Sequence, residues 1–242
     1  MKKSFKLFLL ALCAVFACLA FTGCSSPTTT PEPTVTYIGT KTPTETKAVG
    51  DIVFTDGSAS PYTEELTNEQ KAAAIAVIFY VGDENDTLGA KTLGVGLITE
   101  RTNCRGLQWC LSDAVAYDSW DYAKNMDDGK ANTDEIAGLS DYGDGTKYPA
   151  FKFCRDYTAQ GFTTNWYLPA INELKMLYAS LTEVDNALIA LDIENPYTDF
   201  FFSSTSDYKN YNWAKVFHFT EEEHIQFMLK FIHVYVCAIH TF

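Results

Sequence analysis

Four cysteines beyond the N-terminal region, Cys104, Cys110, Cys154 and Cys237, are the side chains of this sequence best suited to covalent chemistry. An even count in an exported chain permits two disulfides in three pairings. Cys154 with Cys237 and Cys104 with Cys110 are the expected ones, and buried or free thiols are the alternative. The histidines, at positions 218, 224, 233 and 240, all fall near the C-terminus and show no His-Glu-x-x-His spacing. On strands, His218 and His224 could at most be cross-strand neighbours, so no metal site is expected. Acidic loops at 83–86, 127–128 and 141–144 lack the spacing of a calcium loop, and Asp beside Gly reads as turn chemistry. Neither a Gly-x-Ser-x-Gly elbow nor a phosphate-binding Gly-x-x-x-x-Gly-Lys-Ser/Thr is present, so the sequence nominates no catalytic residue and no cofactor. What remains is recognition chemistry. Trp109, Trp120, Tyr122, Tyr211 and Trp213 are the ligand-binding candidates, because aromatic faces bury well against the apolar surfaces of a sugar or a protein.

Composition narrows the partners. The 242 residues are 47% hydrophobic and 20% charged, which fits one large or two small globular domains and excludes disordered and fibrous classes. Thirty-one acidic residues against 18 basic ones give a net charge of -13, so nucleic acid and other polyanions are not expected partners.

The N-terminus reads as an address. Lys2, Lys3 and Lys6 precede an apolar run over 7–21 that ends in Thr22-Gly23-Cys24-Ser25-Ser26. A membrane-spanning helix needs about 20 apolar residues, so a cleaved export signal over 1–23 is the better reading. Small residues directly before a cysteine resemble the bacterial lipobox, which makes Cys24 the lipidation candidate; ordinary cleavage nearby, with Cys24 incidental, is the alternative. Losing three lysines would leave 15 basic and 31 acidic residues, a charge of -16. An acylated Cys24 would hold the chain to the cell envelope through lipid alone. Residues 24–48, rich in Thr and Pro, read as a semi-rigid tether.

From about residue 49 the composition becomes globular. Strands are expected over 51–55, 74–81 and 92–99, the last two as a hairpin across the polar loop 82–86. The middle, 100–147, reads as long loops with a short helix near 113–122. Pro149 opens an amphipathic helix ending near Tyr157, a short strand covers 166–169, and Ile171, Leu174, Tyr178 and Leu181 recur at helical spacing. Val184, Leu188 and Leu191 carry a further helical stretch. Strands follow over 200–204, 213–219 and 225–242. The expected class is α+β, a single domain with two main helices and an antiparallel C-terminal sheet.

Taken in order, Trp166-Tyr167-Leu168-Pro169-x-x-x-Glu173-Leu174, Phe202-Ser203-Ser204-Thr205, Trp213-Ala214-Lys215-Val216-Phe217 and the closing Val236-Cys237-Ala238-Ile239-His240 resemble DUF1566. That family is also called the Legionella collagen-like protein C-terminal domain (Lcl_C). The resemblance covers 49–242. It extends more distantly to the Fibrobacter major paralogous domain and to the formylglycine-generating sulfatase-modifying fold. It implies a C-type-lectin-like architecture and an exported, adhesin-like role, with a glycan or a host or envelope protein as partner. Phe202 stands where the family has Trp, and Cys237 and His240 where Arg is common, which together with the acidic charge argues against sulfated glycans. Trp166, Leu168, Pro169, Glu173, Leu174, Ser203, Ser204 and Thr205 read as mainly structural. Two other functions stay open: an envelope protein with no small ligand, and a thiol enzyme of the formylglycine-generating kind, for which the Arg-Gly-Gly-Ser segment is missing. The chain is expected not to be an enzyme.

Overall fold

The computed structural model describes residues 35–99, 106–220 and 224–242. Its compact unit runs from Thr36 to Phe242, beginning ahead of residue 49. Lys41 forms a bridge with Ala59, and the Lys41 ammonium pairs with the buried Asp51 carboxylate at 2.5 Å.

Strands β1 (Asp51–Phe54), β2 (Ala59–Pro61), β3 (Ala74–Val81) and β4 (Thr92–Thr99) join β8 (Cys237–Thr241) in an antiparallel sheet of order β2-β1-β3-β4-β8. The uninterrupted apolar runs of β3 and β4 follow from cover on both faces, which removes the need for a polar side. One face, with Val53, Ala76, Ile78 and Ala238, packs on Ala150, Phe151 and Cys154 of helix α3 (Pro149–Asp156). The other, with Ile52, Phe54, Val77, Phe79 and Ile239, packs on Leu174 and Leu177 of α4 (Ile171–Ala179) and Val184 and Leu188 of α5 (Leu181–Ala190). Each such Leu or Phe side chain contributes about 2 kcal/mol of burial. Helix α1 (Asn68–Ala73) carries a Thr67–Gln70 capping box, and α2 (Gly129–Ala137) is capped by Asp128, whose side chain accepts from Ala131 N at 2.9 Å. A second antiparallel sheet runs β5 (Phe200–Ser206), β6 (Trp213–His218), β7 (Ile225–Leu229). The class is therefore mixed α/β with antiparallel sheets.

Several sequence expectations are corrected. No helix forms near 113–122: Ala114 N bonds Leu111 O at 3.1 Å and Tyr117 N bonds Ala114 O at 3.0 Å, a pair of turns whose later carbonyls are used elsewhere. A helix the sequence did not reveal, α2, stands in the loop-rich middle. The strand over 166–169 is a single bridge, Tyr167 with Ile239. The segment 225–242 is two strands in two different sheets, because a turn and a bridge segment over 230–236 separate β7 from β8. The disulfide expected between Cys154 and Cys237 is not formed: Cys110, Cys154 and Cys237 are buried free thiols, and the Cys154 thiol donates to the Cys237 carbonyl at 3.4 Å. Cys104 and Cys24 lie outside the described residues.

Candidate functional site

The segments singled out by sequence meet in a buried polar hub. Pro169 and Ala170 lead into α4, and Glu173 in its first turn reaches back so that its Oε2 accepts from Ala170 N at 2.7 Å. The same oxygen accepts from Gly129 N at 3.1 Å, and Oε1 accepts from the Tyr167 hydroxyl at 3.2 Å. One carboxylate thus ties the first turn of α4 to the first turn of α2. Burial pushes its pKa up to about 7, against the pull of the two amides and of Lys91. A Cβ on Gly129 would strike the Leu168 carbonyl and Ala170 N, so only glycine fits there.

Strand β5 supplies the rest of the hub. Ser203 Oγ donates to Lys215 O at 2.8 Å, holding β5 to β6. Ser204 Oγ accepts from Asn132 of α2 at 3.0 Å. Thr205 Oγ1 accepts from Ile171 N at 3.1 Å and donates to Asn125 O at 3.0 Å. Ser206 N donates to Ala123 O at 2.8 Å and its hydroxyl to Tyr122 O at 2.6 Å. Three successive hydroxyl residues, Ser204, Thr205 and Ser206, therefore clamp the middle segment, α2 and α4 onto one strand, and Ser203 ties that strand to β6. Trp166 and Leu168 are buried in the core, and Trp166 Nε1 donates to Phe162 O at 2.9 Å.

A second knot centres on Lys230, a residue that belongs to no motif in the sequence. Its side chain is fully buried, and its ammonium donates to Tyr211 O at 2.6 Å, Ala116 O at 2.7 Å and Ser119 O at 3.3 Å. It also lies 4.7 Å from the centre of the Trp109 ring. Burial lowers its pKa to about 8. Trp109 Nε1 in turn donates to Ser203 O at 3.0 Å, so the tryptophan links the knot to the hub. These bonds occupy the Ala116 and Ser119 carbonyls, and Asp141 and the Tyr148 hydroxyl accept from the Val115 and Ala116 amides, so the segment's backbone groups are spent outside a helix. A lone lysine after an apolar strand has the pattern of a solvated strand end, and only its fold partners mark Lys230 as buried.

Above the knot lie two of the five aromatic candidates. Trp120 is 51% exposed and Tyr211 44%, with ring centres 5.9 Å apart and planes at 68°. The two rings are carried by loops that Lys230 holds through the Ser119 and Tyr211 carbonyls. The loop bearing Tyr211 is further set by Asp207, whose carboxylate accepts from Lys209 N, Asn210 N and Asn210 Nδ2 at 3.1, 3.1 and 2.8 Å. The other candidates are not brought to this surface as free faces. Trp109 is fully buried, which removes it as a ligand contact. Tyr122 and Trp213 are half-buried, Tyr122 against the core.

Other chemistry is sparse. Among the described residues no three His, Cys, Asp or Glu side chains converge as a metal-ligand set, and no helix is long and apolar enough to cross a membrane. His218 and His224 face each other across β6 and β7, with His218 N donating to His224 O at 2.7 Å. Burial raises the thiol pKa of Cys110 to about 12 and that of Cys237 to about 12, and pushes that of Cys154 well up. A cleft of 540 Å³ runs along α3 between Leu107, Pro149, Phe153 and Tyr157 and contains none of the nominated residues.

The chain matches no family model and no curated protein. Among solved structures it is similar to a fimbrial protein from Bacteroides ovatus, at 17% sequence identity and a TM-score of 0.58. The match covers 81% of this chain and 49% of that one, so the chain spans about half the length of the protein it resembles. At that identity the likeness is one of fold.

Proposed function

We propose that the protein is an exported bacterial lipoprotein whose domain is a non-catalytic, adhesin-like recognition module for a glycan or a protein. The observation that carries this reading is the Trp120–Tyr211 pair, exposed yet fixed from beneath by the Lys230 knot. Rigid aromatic side chains lose little freedom when a ligand covers them, which is why Trp and Tyr dominate binding surfaces. The fold it shares with a fimbrial protein is consistent with display at the cell surface. Membership of the DUF1566 group, and with it a C-type-lectin-like architecture, is part of the same proposal. It is supported by the way the motif residues Glu173, Ser203, Ser204 and Thr205 act together in one hub. A role as thiol enzyme gains nothing from Cys110, Cys154 or Cys237, whose thiols are buried and held protonated.

The test compares the chain with Trp120→Ala and Tyr211→Ala on glycan arrays and on immobilised host and envelope proteins. A ligand retained by the parent and weakened about tenfold or more by both variants, at unchanged melting temperature, is expected. Equal binding by all three, or none by any, removes the proposal. Anchoring is tested separately: Cys24→Ser is expected to lose palmitate labelling and to leave the membrane fraction, and persistence of both in the variant defeats the lipidation assignment.

A further inference from the structure

The three-stranded sheet ends at β7, and the phase of its ladder decides which backbone groups are left over. Lys230 N donates to Asn212 O at 2.9 Å and His218 N to His224 O at 2.7 Å. With the register running from Trp213 opposite Leu229 to Phe217 opposite Ile225, residues 224, 226, 228 and 230 turn their amides and carbonyls toward β6. Ile225, Phe227 and Leu229 turn theirs to the open edge. The Leu229 carbonyl accepts from Ile232 N at 3.2 Å. Among the described residues, the amides of all three and the carbonyls of Ile225 and Phe227 meet no backbone partner.

Natural edge strands are usually blunted by Lys, Pro or a bulge. Strand β7 reads Ile-Gln-Phe-Met-Leu, has no charge, and keeps its register with β6 without a shift. Phe227 at its centre is 40% exposed, and Phe231 just beyond its end is also exposed. A positive charge lies against the strand, the Lys215 ammonium of β6, 4.5 Å from the centre of the Phe227 ring; in a chain of net charge -13, a strand without acidic side chains is a place where a second, equally acidic molecule can approach without carboxylate facing carboxylate.

We propose that β7 pairs antiparallel with β7 of a second copy of this chain, about a twofold axis through Phe227, so that two three-stranded sheets become one of six. The sequence is complementary to itself in that register: Phe227 meets its twin, Gln226 meets Met228 and Ile225 meets Leu229. The outward groups are also in phase. The two Phe227 residues exchange both of their bonds, and each Leu229 amide donates to an Ile225 carbonyl of the other copy. Such a contact is isologous and closes as a dimer. Because a paired five-residue strand buries less than a standard interface, the dimer is of modest affinity and depends on concentration. It stands independently of any ligand at Trp120.

Sedimentation of the full chain from about 10 μM to about 1 mM should show the mass rising from one copy toward two. Phe227→Pro should stay monomeric over that range with unchanged melting, since the Phe227 amide makes no bond to β6 and proline is tolerated there. Residues facing each other in a hydrogen-bonded antiparallel pair have Cα atoms about 5.5 Å apart, within disulfide reach. Phe227→Cys should therefore cross-link to a dimer under diamide, whereas Ile225→Cys alone should not and should do so only when mixed with Leu229→Cys. A chain that stays monomeric at the highest concentration, or equal cross-linking at positions 225 and 227, overturns the proposal.

Discussion

A carboxylate that accepts from two amides and a tyrosine hydroxyl is well placed to organise a junction, but shutting it away from water opposes its ionisation. Glu173 binds its proton more tightly in the folded chain, with a pKa of about 7, than the ordinary carboxyl at 4.5 in the unfolded one. The folded state therefore holds the extra proton between those values, and stability falls as pH rises through that window. Below about pH 4.5 the penalty is absent; above about pH 7 it is fully present, at about 3 kcal/mol. Glu173→Gln can still accept from Gly129 N and Ala170 N without carrying a charge. It should melt higher than the parent at pH 8 and close to it at pH 4.5, and parallel melting curves for the two would contradict this account. Lys230 presents the opposite case, a cation whose removal strands acceptors. Lys230→Met should cost about 3 kcal/mol or more in denaturant unfolding, because three inward-turned carbonyls lose their donor. It should also free the loop bearing Trp120, seen as a fall in the tryptophan fluorescence anisotropy that is larger in this chain than in the same variant carrying Trp120→Phe.

Helix α2 shows why part of the fold was legible and part was not. The strands at 51–54, 74–81 and 92–99, and helices α3, α4 and α5, announce themselves through apolar runs, helical spacing and Pro149. The buried side of α2 is Gly129, Asn132, Thr133 and Ile136, spaced as a helix face but mostly polar. Its partners are hydrogen bonds: Asn132 to Ser204, and Thr133 Oγ1 accepting from Leu168 N at 3.3 Å. Hydrophobic periodicity cannot report a face that is satisfied by polar atoms. The same limit hid the partners of the hub, whose residues Glu173, Ser203, Ser204 and Thr205 stand out as mainly structural while their bonds to α2 and to the middle segment do not show in any spacing, and it hid the Lys230 knot. It also let Trp109 pass for a ligand contact, whereas Trp120, expected within a short helix, and Tyr211 both lie exposed on loops. Gly129→Ala tests the junction between α2 and α4. The added methyl should destabilise by about 1–3 kcal/mol through the displaced Leu168 and Ala170 backbone, measured by chemical denaturation; a neutral effect would mean that the two helix starts are not rigidly held.

At the scale of the molecule, the three described cysteines, Cys110, Cys154 and Cys237, are buried free thiols, and among the described residues the two-sided core is held by packing rather than by disulfides. In a chain with Cys13, Cys18, Cys24 and Cys104 replaced by Ser, the three remaining thiols should be silent to a thiol reagent in native buffer. All three should appear on unfolding without reductant; fewer than three would restore a Cys154–Cys237 bridge. The position of β8 has one more implication. Residues 237–241 complete the five-stranded sheet at its edge, against β4, and meet Tyr167, so on a growing polypeptide this last strand and the Tyr167 bridge form only after the other four strands have been made.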